Sequence, residues 1–315
     1  MSSHRPIDLF KRNSKNPIIT AKDLPYPAHS VFNPGATKIN GEVLLLMRVE
    51  DYDGVSHLTS ARSKNGISDW RIDKRATIFP SPNSHPEEIW GIEDPRITRL
   101  EEKNTWAILY TSYSESGPLV SIATSSDFQN FKRLGAVLPP ENKDAALFPI
   151  RFNNRWTMLH RPVAATPGIG SHIWISFSPD LMHWGEHKIL IPANKGAYWD
   201  AGKIGLSAPP METDEGWLIL YHGVKSTVNG CIYRLGFALL DLEKPWQVIA
   251  RSNSWTFSPE KDYETLGDVD KVVFPCGWIK DGDIITIYYG GADTCIAAAS
   301  AEIPKILAWL KNDKK

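Results

Sequence analysis

Residues 42–49 read EVLLLMRV, and a run of the same kind returns four more times: TWAILYTSY at 105–113, WTMLHRPV at 156–163, WLILYHGV at 217–224 and IITIYYGG at 284–291. Each is short, rich in branched and aromatic side chains, and preceded by a polar tip: Asn40-Gly41, Lys103-Asn104, Asn153-Asn154, Asp214-Glu215-Gly216 and Asp281-Gly282. Tips of this composition close hairpins, and a further extended piece lies before every one. They recur at intervals of roughly 50 to 65 residues, a spacing that suits propeller blades.

A second element follows the run. SARSKNGISDW at 60–70, IATSSDFQNF at 122–131 and ISFSPDLMHW at 175–184 share a small-residue strand, a Ser-x-Asp/Asn turn and an aromatic a few residues on. A looser copy, FALLDLEKPW, stands at 237–246, and AAASA at 297–301 ends the fifth unit. The repeated serine and aspartate read as turn chemistry. Only IPKILAWLK at 303–311 has helical spacing, with Pro304 in its first turn. Five similar β units without covering helices predict one all-β domain over residues 1–315, a five-bladed β-propeller with a short C-terminal helix. A pair of β-sandwiches fits the regular spacing less well.

The composition is that of an ordinary globular protein: 315 residues, 42% hydrophobic, 23% charged. Lys plus Arg is 35 and Asp plus Glu is 36, which leaves no electrostatic footprint for nucleic acid or an anionic membrane. Cys231, Cys276 and Cys295 are far apart and match no metal or redox spacing. They suit a reducing compartment. The opening MSSHRPIDLFKR has no apolar signal region, and no stretch approaches the length of a membrane span. The expectation is a cytoplasmic protein with no membrane or nucleic-acid partner. Twelve Trp, 10 Tyr and 11 Phe are many for this length. They serve either a large β core or the stacking of sugar rings.

The five runs end on or near polar residues: Arg48, Tyr113, Arg161, His222 and Asp293. Such groups are seldom buried without partners, so ends that converge on a propeller axis predict a polar funnel for a ligand. Three more stretches carry chemistry. In GIEDPR at 91–96, Pro95 favours extended backbone at Asp94, and strand alternation would let only one of Glu93 and Asp94 face the channel; the alternative is an Asp-Pro turn closed by Arg96. WDAGKIGL at 199–206 sets Lys203 between glycines, and ENKDAALFP at 141–149 puts Lys143 ahead of a strand. Either lysine could serve an anion or simply face solvent. GxSxG, HExxH, P-loop and Rossmann patterns are absent. A glycosidase needs two carboxyl groups, whereas here one candidate, Asp94, faces Arg48, Lys143, Arg161, Lys203 and His222. A phosphate nucleophile would make the second carboxylate unnecessary.

On these motifs, with LHRPV at 159–163, LILYHGV at 218–224, YRLGFALLDLEKP at 233–245, VVFPCG at 272–277 and YYGGADT at 288–294, the sequence resembles glycoside hydrolase family 130, the β-mannoside phosphorylases, from about Asn33 to Ala301. The resemblance implies a five-bladed propeller and inverting phosphorolysis of a terminal β-mannoside to α-D-mannose 1-phosphate. It implies Asp94 as general acid, its proton reaching the glycosidic oxygen through the mannose 3-hydroxyl. It implies Asn33, Arg48, Lys203 and Asp293 at the mannose, and Lys143, Arg161, Lys203, His222 and Tyr233 at the phosphate. Where members carry arginine at the place of Lys143, lysine keeps the charge and loses the fork of hydrogen bonds. Inorganic phosphate is then a co-substrate, with no cofactor or metal, and the resemblance implies a homo-oligomer. The motifs sit nearest members acting on β-1,4-mannooligosaccharides or mannosyl-β-1,4-N-acetylglucosamine, with β-1,2-mannobiose as the alternative. The loops at 52–57, 80–88 and 164–171 would choose the acceptor. Competing readings are a β-mannoside hydrolase, in which acidic residues replace the phosphate ligands, and a sugar-binding propeller without catalysis. A WD-type interaction propeller lacks its signatures.

Overall fold

Every one of the five apolar runs forms the second strand of an antiparallel blade. The computed structural model describes residues 8–164 and 169–313. Blade one is Ser30–Ile39, Glu42–Glu50, Ser56–Ser63 and Arg71–Ile72. Blade two is Ile92–Leu100, Thr105–Ser114, Gly117–Ser125 and Lys132–Ala136, and blade three is Asn142–Leu147, Trp156–Pro162, Ile173–Ser178 and Gly185–Ile191. Blade four is Lys203–Leu206, Gly216–Thr227, Gly230–Leu240 and Val248–Arg251, with Met211–Thr213 also pairing its second strand. Blade five is Val273–Asp281, Ile284–Gly291 and Cys295–Glu302. Its outer edge is completed from the other end of the chain, where Lys11–Arg12 and Ile19–Thr20 pair with Cys295–Glu302 and close the ring.

The hairpin tips behave as read. Asn40-Gly41 and Asn153-Asn154 have positive φ at both positions, the conformation whose twist matches two-residue hairpins. The Ser-x-Asp/Asn turns repeat in detail. Ser125 Oγ accepts from the Phe128 N–H at 2.8 Å and Asp127 Oδ1 from the Gln129 and Asn130 N–H groups. Ser178 and Asp180 do the same for Leu181, Met182 and His183, and Ser63 and Asn65 for Gly66, Ile67 and Ser68. The 303–311 pattern is a helix, Ile303–Asn312, that packs Ile306, Leu307 and Leu310 against blades four and five.

Why the runs are continuously apolar, not alternating, follows from their place in the ring. Leu44 and Leu46 bury against Ile92, Ile97 and Ile108 of blade two, while Val43, Leu45 and Met47 bury against Tyr288, Ile296 and Ala298 of blade five. Both faces of the blade are interior. Each of the other blade junctions has its own apolar cluster. Full burial of a leucine stabilises by about 1.5–3 kcal/mol, so these strands hold the ring together. The aromatic excess belongs here: Trp156 and Trp217 are fully buried between blades.

The apolar runs do not line the axis. The first strands do, and Ser30–Ile39, Ile92–Leu100 and Val273–Asp281 pack directly on one another. Because first and second strands are antiparallel, the start of one and the end of the next still arrive at the same mouth. No helix among the described residues is long and apolar enough to cross a membrane.

Candidate active site

The mouth is a cavity of about 630 Å³, and all nine residues singled out in the sequence line it: Asn33, Arg48, Asp94, Lys143, Arg161, Lys203, His222, Tyr233 and Asp293. Tyr113 joins them. First strands supply Asn33, Asp94, Lys143 and Lys203; second strands supply Arg48, Tyr113, Arg161 and His222, and Asp293 follows the last of these in blade five. No Trp lines the cavity among the described residues. Of the loop at 164–171, Ala164, Ile169 and Ser171 reach the cavity wall and residues 165–168 lie outside the described residues.

Three blades share a device that aims their polar groups. The register of the first strand breaks between Phe32 and Gly35, between Glu93 and Arg96, and between Lys143 and Ala146. In each break one residue is left-handed: Asn33 (φ 44°), Asp94 (φ 53°) and Asp144 (φ 54°). Asn and Asp adopt this region more readily than other L-residues, and a bulge redirects side chains out of strand alternation. Asp94 is therefore not extended, despite Pro95, and Glu93 and Asp94 do not point to opposite faces. Arg48 takes both, with Nη1 3.2 Å from Asp94 Oδ1 and Nη2 3.2 Å from Glu93 Oε1.

Asp94 is 4% exposed and accepts a second hydrogen bond at 2.9 Å from the Asn33 amide. The Asn33 side chain lies so close to Gly290 that a Cβ there would clash with its Oδ1. Burial raises the Asp94 pKa, but Arg48, Lys143, Arg96 and the Asn33 amide outweigh it and hold the carboxyl below its ordinary value. Asp293 is the opposite case. Burial pushes it up to about 7, since the pull of Arg48 is opposed by Asp94, Asp268 and Glu93.

Across the cavity, Asp144 organises the cations. Its Oδ2 lies 2.6 Å from Arg161 Nε and 3.4 Å from His222 Nε2. Burial raises its pKa, but Arg161, His222 and Arg96 prevail and hold the carboxyl well below the usual range. Gly205 leaves the room for this pair, because a Cβ would clash with Asp144 Oδ2 and come within 2.6 Å of His222 Cε1. The His222 ring lies 4.6 Å from that of Phe274, tilted by 43°, and burial lowers its pKa despite Asp144. Lys143 lies inside its strand, not ahead of it, with Nζ 3.5 Å from Glu93 Oε2, and Lys203 Nζ sits 5.3 Å from the Tyr233 ring centre. Neither lysine is a free surface charge.

Arg96 makes no side-chain pair with Asp94. It donates to the main-chain carbonyls of Asp94 (3.2 Å), Leu206 (2.8 Å) and Ser207 (2.7 Å), and its Nη2 lies 3.4 Å from Asp144 Oδ1. It thus ties blade two to blade four. Trp199 and Asp200 are structural as well: the indole stacks on Tyr221, and the carboxylate pairs with Arg251 at 2.6 Å. Sequence reasoning missed Asp144, Arg96 as a staple, and the bulges. A signal for the bulges exists in the alignment of FNPG at 32–35, EDPR at 93–96 and KDAA at 143–146.

The comparisons with known proteins identify the family. A family model described as β-1,4-mannooligosaccharide phosphorylase matches residues 3–312. A β-1,2-mannobiose phosphorylase of Listeria innocua is 34% identical over 96% of this chain and 99% of its own length. A β-1,4-mannooligosaccharide phosphorylase of Ruminococcus albus is also 34% identical, over 97% of this chain and 92% of its own. The solved Listeria innocua β-1,2-mannobiose phosphorylase, in complex with β-1,2-mannobiose, superposes with a TM-score of 0.88 at 32% identity, covering 96% of this chain and 99% of that one. The chain belongs to glycoside hydrolase family 130 and is an enzyme of the glycoside phosphorylase class.

Proposed function

We propose that this enzyme phosphorolyses the terminal unit of a β-mannoside with inversion, giving α-D-mannose 1-phosphate and a shortened acceptor. The observation that carries the reading is the division of one cavity into two walls. One holds the carboxyls Asp94 and Asp293 with Asn33 and Arg48; the other gathers Lys143, Arg161 and Lys203. Mannose occupies the first wall, held by Asn33, Arg48, Lys203 and Asp293. Phosphate occupies the second, on Lys143, Arg161, Lys203, His222 and Tyr233. A phosphate oxygen bonds to the anomeric carbon from the face opposite the leaving group. The bond from that carbon to the glycosidic oxygen breaks, and the oxygen takes the Asp94 proton through the mannose 3-hydroxyl, as the family resemblance implies.

The electrostatics give this sequence a trigger. The surrounding cations keep Asp94 ionised at neutral pH. A phosphate dianion beside Lys143 offsets part of that field and raises the proton affinity of Asp94. The nucleophile thus helps to arm the acid.

For linkage, the description of the matched family model favours β-1,4-mannosides. The equal identity of the Listeria innocua relative makes β-1,2-mannobiose the second reading. Incubation with each mannobiose, with and without inorganic phosphate, followed by proton NMR of the anomeric region, tests both. α-Mannose 1-phosphate is expected only when phosphate is present. Free mannose released at the same rate without phosphate would overturn the reading in favour of hydrolysis.

A further inference from the structure

Glu93 has no part in the roles assigned above, yet it stands where the two walls meet. Its carboxylate is mostly buried and is divided between them: Oε1 lies 3.2 Å from Arg48 Nη2 and Oε2 lies 3.5 Å from Lys143 Nζ. Arg48 in turn holds Asp94 through Nη1, stacks on the Phe32 ring at 4.5 Å, and has Glu50 Oε2 at 3.5 Å. Lys143 comes from blade three and Arg48 from blade one, so Glu93, in blade two, spans three blades with one side chain. Only the bulge after Glu93 allows this, by turning it and Asp94 toward the same arginine.

We infer that Glu93 is a positioning residue that couples the sugar wall to the phosphate wall, fixing Arg48 and Lys143 relative to each other at a cost in phosphate affinity. The inference rests on the phosphorolysis reading. The physical reason is simple. Arg48 and Lys143 repel, and a flexible lysine between two carboxylate neighbours has several positions open to it. A carboxylate bridging both cations removes the repulsion and selects one arrangement. The same negative charge faces the incoming phosphate dianion across Lys143 and weakens its binding.

The prediction is a split that a merely structural residue would not produce. Glu93→Gln keeps the shape and removes the charge: inorganic phosphate should bind about fivefold more tightly by calorimetry, while kcat for phosphorolysis falls about 30-fold. Glu93→Asp keeps the charge and shortens the reach, so it should lose kcat without gaining phosphate affinity. Thermal unfolding of both variants checks that they remain folded. A Glu93→Gln enzyme that binds phosphate as the wild type does, or more weakly, would overturn the coupling role; so would a kcat within twofold of wild type. If the wild-type protein itself binds no phosphate, the reading of the cation wall fails and Glu93 falls with it. If the wild type binds phosphate and the variant is unchanged, only the role of Glu93 fails.

Discussion

The two walls of the cavity are built by the same backbone device and carry opposite charge. On the side made by blades five, one and two, a single guanidinium, Arg48, stands among three carboxyl groups, Glu93, Asp94 and Asp293. On the side made by blades three and four, Lys143, Arg161 and Lys203 accompany two carboxylates, Asp144 and Glu141, with His222 beside Asp144. A bulge with a left-handed Asp sits at the centre of each, Asp94 in one and Asp144 in the other. Their fates differ because of what surrounds them. Asp144 touches Arg161 and His222 and is locked as an anion. Both line the cavity, but Asp94 stands in a field that an arriving anion can change. One aspartate is set up to hold cations in place, the other to exchange a proton.

The most direct way to break this comparison is to remove the exchangeable proton. Asp94→Asn should lower kcat by about 1,000-fold while leaving phosphate binding measurable, because the amide cannot act as an acid. Steady-state rates together with phosphate calorimetry check both halves. Next in size is the cation wall. Lys143→Ala and Arg161→Ala should each raise the phosphate KM about 30-fold and change the mannoside KM little, whereas Lys143→Arg should retain most phosphate affinity. Equal losses in both KM values would mean that the walls are not separate.

A smaller effect is expected from filling the space between Asp144 and His222. Gly205→Ala places a methyl group against both side chains and should destabilise the protein by about 1–3 kcal/mol in denaturant unfolding. Gly185→Ala meets nothing within 4 Å and should stay within about 0.5 kcal/mol of wild type. A pH-dependent effect concerns Asp293. With its folded pKa raised to about 7 and an unfolded value near the ordinary 3.8, the folded protein binds more protons between these limits. Its contribution is therefore fully present below about pH 3.8 and is lost as pH rises through 7. Asp293→Asn should remove that decline, so the variant gains stability relative to wild type between pH 4 and pH 8, as thermal unfolding across the range would show.

Much of this site was legible before any coordinates. Arg48, Arg161 and His222 end apolar runs in which such residues are out of place, and that anomaly marks the mouth of the propeller. The positions of Asn33 and Tyr233 came from the family resemblance, not from spacing. The pair Glu93-Asp94 was misjudged because alternation is a property of regular strands, and a bulge suspends it. The first strands were read only as extended pieces ahead of the tips, because bulges interrupt their pattern in blades one, two and three, while the second strands run unbroken.

The sequence alone determined the number of blades, because five tips, five apolar runs and three matching Ser-x-Asp/Asn turns are local features that each segment carries for itself. It also determined which polar residues would meet, since antiparallel hairpins bring the start of one strand and the end of the next to the same edge. Charge state and partnership were decided only by the tertiary structure. Whether an aspartate is pushed up, like Asp293, or held down, like Asp144, depends on burial and on charges from blades far apart in sequence. Electrostatic energy follows distance in space, and ring closure alone sets those distances.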